Sequence, residues 1–131
     1  MIYDNLEKLI DYLKANMTQI KLVDYYRGEF ESETSEWNPV FPAALLNLSG
    51  FTKKEESITS VITGDVIINV FAAIKFEDAA QRLVLDQLIT TLNSLFDFED
   101  MMLRLNSVQL HGYFFGIHIY RIELVTQIYL T

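Results

Sequence analysis

Two stretches of strand-forming residues are unusually long for a chain of 131 residues. One runs from Asp65 to Phe76, with the sequence DVIINVFAAIKF, and the other from Ile117 to Leu130, with the sequence IHIYRIELVTQIYL. At about 3.3 Å per residue the second would be roughly 46 Å long, whereas a typical strand has about 5–6 residues. A small domain covers only part of so long a ribbon. The rest must bend, leave the body of the protein, or pair with another chain, which favours an assembly protein over an enzyme.

Length and composition predict one folded domain that spans residues 1–131. Half of the residues are hydrophobic and 13% are aromatic, which excludes disorder as a description of the whole chain. The absence of cysteine excludes disulfides and thiolate metal sites. No apolar run reaches the ~18 residues of a membrane-spanning helix. The first residues, MIYDNLEKL, lack the basic-then-apolar pattern of a signal peptide. We therefore expect a cytoplasmic start and no membrane partner.

The charge balance argues against nucleic acid as a direct partner. Eighteen acidic residues oppose ten lysines and arginines, for a net charge of −8. Proteins that bind DNA or RNA draw most of their affinity from cations placed on phosphates. In this chain the cations are dispersed, and the only adjacent pair, Lys53–Lys54, is followed at once by Glu55 and Glu56. We therefore expect no direct nucleic-acid binding.

The spacing of apolar residues predicts two helices and about five strands. The predicted helices are Ile2–Met17 and Asp78–Phe96, and the predicted strands are Ile20–Arg27, Ala43–Leu48, Asp65–Phe76, Ser107–Tyr113 and His118–Leu130. The intervening segments are predicted as loops at Gly28–Pro42 and Gly50–Ser60, a short helical turn at Asp97–Arg104, and a hairpin turn around Phe114–Gly116.

This order of elements favours an α+β fold, with a mostly antiparallel sheet of about five strands and both helices packed on one of its faces. The apolar stripes of the two helices should pack against every second residue of the central strands. The predicted core consists of Leu6, Leu9, Ile10, Leu13, Leu88, Ile89, Leu92 and Leu95 from the helices and Val66, Ile68, Val70, Ile122 and Leu124 from the sheet.

Two groups of apolar residues have no obvious place in that core. Ile67, Phe71 and Ala73 share the second face of the long strand, which is too apolar to be left in water. Either another layer of the same chain or another subunit must cover it. The acidic loop Gly28–Pro42 contains further aromatic residues, and aromatic residues often anchor protein interfaces. We predict oligomer or partner contacts at Phe30, Trp37, Phe41, Ile67 and Phe71.

No motif predicts catalysis or a cofactor. His111 and His118 would flank the predicted hairpin and could face each other, but two ligands are too few for a metal site and both lie in ordinary strand contexts. Asp97, Glu99 and Asp100 lack the spacing and the glycine of a calcium loop, so a solvated helix terminus is the better interpretation. A phosphate loop, a nucleophile elbow and a dinucleotide fingerprint are all absent from the sequence. We expect no catalytic, cofactor-binding or metal-binding residues.

The whole arrangement resembles the tail terminator, or tail-completion, proteins of long-tailed phages and prophages. The features that carry the resemblance are the opening helix Ile2–Met17, the strand Ile20–Arg27 before a long loop, the long strand Asp65–Phe76, the helix Asp78–Phe96 and the closing strands. The resemblance covers nearly the full chain and depends on order and size rather than on a fixed motif.

The resemblance implies a structural, non-enzymatic virion protein of α+β fold that forms a hexameric ring on the tail tube. Its implied partners are further copies of itself, the tail-tube protein and head–tail connector proteins, and it implies a location in the virion after assembly in the host cytoplasm. No motif separates a terminator from another head–tail joining component. A small ligand-binding or regulatory module, dimeric and with a cavity between helices and sheet, is the alternative of a different class. An enzyme of unrecognised type is the third.

Overall fold

A computed structural model of the chain describes residues 2–30, 40–53, 62–98 and 102–130. Its elements are α1 (Ile2–Asn16), β1 (Leu22–Tyr25), β2 (Ala43–Lys53), β3 (Ile62–Lys75), α2 (Ala79–Asn93), β4 (Arg104–Phe114) and β5 (Ile117–Leu130). The strands form one sheet in the order β1-β2-β3-β5-β4. Only β1 and β2 are parallel, and the other neighbours are antiparallel. This arrangement confirms the predicted α+β fold with a mostly antiparallel sheet.

Both helices form where the sequence predicts them. In α1 the buried side chains recur at helical spacing, as Leu6, Leu9 and Leu13 illustrate. The carboxylate of Asp78 caps α2, since it accepts hydrogen bonds from the backbone N–H groups of Ala80 and Gln81 at 2.9 and 3.4 Å. None of the helices that the structure describes is long and apolar enough to cross a membrane.

The helices pack on one side of the sheet, which we call the helix face. The residues that fill this layer include every predicted core position: twelve are buried and Ile89 is half-buried. Leu9, Leu13, Ile68 and Leu92 have no exposed surface. Even-numbered residues of β3 and β5 point into this layer because side chains alternate along a strand.

The two long tracts pair with each other. β3 and β5 each contain 14 residues and match over their full length, from Ile62 opposite Leu130 to Lys75 opposite Ile117. The two tracts are therefore hydrogen-bonded to each other within the chain and do not need another chain as a pairing partner along that side.

Two segments differ from the sequence-based assignment. The strand predicted as Ala43–Leu48 continues to Lys53, so Gly50–Lys53 belongs to β2 and not to a loop. A bulge between Leu48 and Gly50 shifts the register and breaks the alternation of apolar residues that marks a strand. Arg104 starts β4, whereas the sequence suggested that it closes a helical turn.

The face of the sheet away from the helices, which we call the back face, carries a second apolar cluster. Its buried members are Ala43, Phe71, Ala73, Ile117 and Ile119, and Leu22, Tyr26, Phe30 and Phe41 pack against them. The ring of Tyr26 stacks on that of Phe71 with centroids 4.3 Å apart, and Phe71 is only 4% exposed. Of the two ways to cover this face, a layer of the same chain is the one found around Phe71.

Candidate subunit interface

The β4–β5 hairpin ends in a two-residue turn with an exposed aromatic ring. Phe115 and Gly116 have φ angles of 47° and 79°, and two positive φ angles are typical of a type I′ turn. The side chain of Phe115 is 99% exposed. The carbonyl of Gly116 accepts a hydrogen bond of 3.0 Å from the backbone N–H of Phe76, so the turn is anchored to the end of β3.

Two more exposed aromatic side chains lie beside this turn. Phe76 is 45% and Tyr113 is 73% exposed. The ring of Phe76 stacks on His118 with centroids 4.3 Å apart, while the guanidinium of Arg82 lies 5.6 Å from the centroid of Phe76 and donates a hydrogen bond to its carbonyl. We call Phe76, Tyr113 and Phe115 the tip surface.

The exposed apolar surface continues from the tip along β4. Val108 and Leu110 are 38% and 49% exposed, and their partners Ile122 and Tyr120 place them on the helix face of the sheet. β4 is an edge strand of 11 residues whose only charged residue is Arg104. Natural edge strands are usually short or charged, and bulges also protect them. β4 has bulges, but it is not short and its single charge stands at its first residue.

A groove opens at the opposite edge of the sheet, beside β1. It has a volume of about 490 Å³ and lies between the end of α1 and the edge of β1. Its lining residues are Lys14, Thr18, Ile20, Lys21, Leu22, Val23 and Asp24. We call this site the edge groove.

The acidic side chain of the edge groove is held in its ionised form. Burial raises the pKa of Asp24, but the hydrogen bond from the Tyr25 backbone N–H and the nearby Arg27 guanidinium outweigh it, so the pKa lies below its ordinary value. The two bonds measure 2.7 Å from Tyr25 N and 3.1 Å from Arg27 Nη1. The edge groove therefore presents two lysines and one fixed carboxylate.

A row of polar side chains crosses the back face beyond the Phe71 cluster. Asn47, Asn69, Glu123 and Ser107 stand opposite one another on four neighbouring strands. Asn69 donates to Asn47 at 3.2 Å, and Ser107 donates to Glu123 at 3.3 Å. These side chains satisfy one another, which is how a sheet face tolerates polar residues away from bulk water.

The five predicted contact residues differ in how far the structure buries them. Phe30 and Phe41 are half-buried and pack against the cluster that contains the buried Phe71. Phe71 is therefore covered by residues of its own chain, and the fold does not need another subunit to bury it. Ile67 is half-buried on the same face, and its role in a contact stays a prediction. Trp37 lies outside the described residues.

The two histidines, which the sequence allowed to face each other, lie on opposite faces of the sheet. His111 lies at a bulge and its ring centroid is 5.0 Å from that of Phe71, on the back face. His118 alternates with Tyr120 and Ile122 and belongs to the helix face. Opposite faces of a sheet cannot place both imidazoles on one ion.

The acidic cluster after α2 is only partly described. Asp97 is exposed, whereas Glu99 and Asp100 lie outside the described residues. Within the part of the chain that the structure describes, no three histidine or acidic side chains are grouped as metal ligands would be.

Sequence reasoning missed the tip surface and the exposed part of β4. One signal was present, since the turn of the predicted hairpin reads Phe-Gly where Asn-Gly or Gly-Gly is usual. Comparisons with known proteins add no further residues, because neither the protein-family models nor the curated proteins that were searched give a match.

Proposed function

We propose that the chain is a structural subunit of a long-tailed phage or prophage virion, and that its copies assemble into a ring that ends the tail tube or joins the tail to the head. Its partners are then further copies of itself, the tail-tube protein and the head–tail connector proteins. It acts in the virion, after assembly in the host cytoplasm. The resemblance in the order and size of the elements is the starting point of this proposal.

The position of the exposed apolar side chains supports the proposal most strongly. Val108, Leu110, Tyr113 and Phe115 lie along an edge strand and at its hairpin tip, and each side chain is between 38% and 99% exposed. Contiguous apolar surface of this kind usually marks a contact with another macromolecule. An edge strand that has one terminal charge and is otherwise protected only by bulges can pair with other chains and aggregate, and a subunit contact removes that risk.

The alternative of a ligand-binding module requires a cavity between the helices and the sheet. In the described residues that layer is filled by core side chains such as Leu9, Ile68 and Leu92, which have no exposed surface. The two cavities described, of about 490 and 380 Å³, open at an edge and at an end of the sheet. No observation therefore favours this alternative.

Two measurements test the proposal. Light scattering across a dilution series should give a ring of defined mass or growth toward one, and electron microscopy should show closed rings. The tail-tube protein of the same genome, allowed to polymerise with and without this protein, should give tubes of limited length only when it is present. A monomer or stable dimer at every concentration, together with unchanged tube lengths, contradicts the proposal.

A further inference from the structure

We infer that neighbouring copies join head to tail, with the tip surface of one copy seated in the edge groove of the next and Phe115 inserted as the central side chain. This inference deepens the proposed ring and rests on it, because it names the two surfaces that meet. The partner is a second copy of this chain.

The register of the sheet places both surfaces at the same end of the molecule. Leu22 of β1 stands opposite Ala43, which stands opposite Ala73, which stands opposite Ile119. The hairpin turn follows directly beyond Ile117. The edge groove and the tip surface therefore lie at one height along the strands, on the two opposite edges of the sheet.

That placement is compatible with a closed ring. A ring is built from head-to-tail contacts, in which two different surfaces of the subunit meet. When copies are related by rotation about an axis along the strands, the two surfaces can meet only if they stand at the same height. A tip surface at the opposite end of the sheet from the groove would build a rising helix instead.

Shape and residue type also match. The side chain of Phe115 projects into solvent at a turn, and the edge groove is lined by the half-buried Leu22 and by Lys14 and Lys21, while its other apolar lining residues, Ile20 and Val23, are buried in the core. Aromatic side chains that fill a pocket at the centre of an interface supply much of the binding energy. The lysine ammonium groups at the groove can also bind the face of an aromatic ring.

The turn itself gives no reason for a phenylalanine at position 115. The φ of 47° belongs to the left-handed region, where asparagine and glycine are favoured and bulky residues are rare. A ring that is 99% exposed contributes almost no burial to its own fold. A contact with another molecule would bury this ring, which the turn leaves exposed.

The charge distribution favours a second copy as that molecule. The chain carries a net charge of −8, so most of its surface repels a copy of itself. Around the tip surface, Lys75 and Arg82 lie near Glu77 and Asp78, and the edge groove carries Lys14, Lys21 and Asp24. Cations and anions balance around the tip surface and cations outnumber anions at the edge groove, so the repulsion between two acidic copies is weakest where we place the contact.

Engineered cysteines test the contact directly, because the natural chain contains none. Phe115→Cys protein is mixed with Thr18→Cys protein under a mild thiol oxidant. We expect covalent dimers in this mixture and a ladder of covalent oligomers from the double variant. The matched control pairs Phe96→Cys, another exposed phenylalanine at 54%, with Thr18→Cys. Yields no higher than this control, or Phe115→Cys that dimerises equally well with itself, overturn the inference.

A second variant keeps the test independent of the disulfide. Phe115→Asn suits the turn, so the fold should persist, but the concentration needed for assembly should rise roughly 30-fold, as on loss of a central interface residue. Phe96→Asn should assemble normally. Assembly of Phe115→Asn at wild-type concentrations overturns the contact and leaves the ring proposal standing.

The two proposals fail in different ways. Covalent ladders together with tail tubes of unchanged length would sustain the contact and contradict the tail function. Capture of Phe115→Cys by the tail-tube protein rather than by Thr18→Cys would overturn the second copy as the occupant. A wild-type monomer at every concentration of the dilution series, together with unchanged tube lengths, overturns both.

Discussion

Replacement of Phe71 by alanine measures whether the back face is closed by the chain itself. Phe71 is 4% exposed, and its ring is flanked by Tyr26 at 4.3 Å and His111 at 5.0 Å between centroids. Truncation of a buried phenylalanine costs about 3–5 kcal/mol, and an aromatic pair contributes about 0.5–1.5 kcal/mol beyond its buried area. We therefore expect a loss of about 4 kcal/mol in the free energy of unfolding. A domain has about 5–15 kcal/mol in total, so the variant should still fold at low temperature.

Urea unfolding at a protein concentration below the onset of assembly provides the assay. With a slope of about 2 kcal/mol per molar urea, the midpoint should fall by roughly 2 M. Ile67→Ala is the matched control on the same strand and face, and because Ile67 is only half-buried, it should cost less than about 2 kcal/mol. Phe71→Asp should unfold the chain, since it buries an unpaired charge. A loss below about 1 kcal/mol for Phe71→Ala, combined with weaker assembly, would refute intramolecular burial and return Phe71 to a subunit contact.

Three further substitutions test local features. Phe115→Asn should raise the free energy of unfolding by about 1 kcal/mol, because asparagine tolerates the positive φ better than phenylalanine; a lower melting temperature would contradict this. Gly64→Ala should cost about 1–3 kcal/mol in urea unfolding, because its Cβ would lie 2.6 Å from the Phe51 ring and also overlap the Thr52 carbonyl; unchanged stability would show that β2 yields there. Asp24→Asn should cost up to about 1 kcal/mol at neutral pH, since its pair with Arg27 is partly exposed. Because the folded-state pKa of Asp24 is lowered, the difference from wild type should vanish as the pH falls below that pKa. A difference that persists in acid would exclude this origin.

Local patterns were enough to predict the helix face. In α1 the buried side is predicted by the apolar stripe of Leu6, Leu9 and Leu13. In β3 and β5 it is predicted by the alternation of apolar residues. The structure confirms both predictions. The hairpin turn after β4 was also predicted, because glycine follows a run of strand-forming residues. These features depend on neighbours within a few residues, which a sequence displays directly.

Long-range packing was not predictable in the same way. The continuation of β2 to Lys53 depends on a bulge that moves Phe51 to the face opposite the one strict alternation gives. The cover over Phe71 depends on a turn that returns Tyr26 and Phe30 to the sheet. Neither the bulge nor the covering turn produces a periodic pattern in the sequence, because each depends on the position of a strand that is distant along the chain.

Residues that contradict their local setting support the contact that we propose between copies. A sequence that only had to fold would place asparagine or glycine at position 115 and charges along β4, since both choices stabilise a solitary sheet edge or its turn. Instead Phe115, Tyr113 and Leu110 are exposed there. Phe71 is the opposite case, because an aromatic side chain suits the buried position that its own chain provides. Local conflict therefore separates the residues that fold the monomer from those that we assign to the contact between copies.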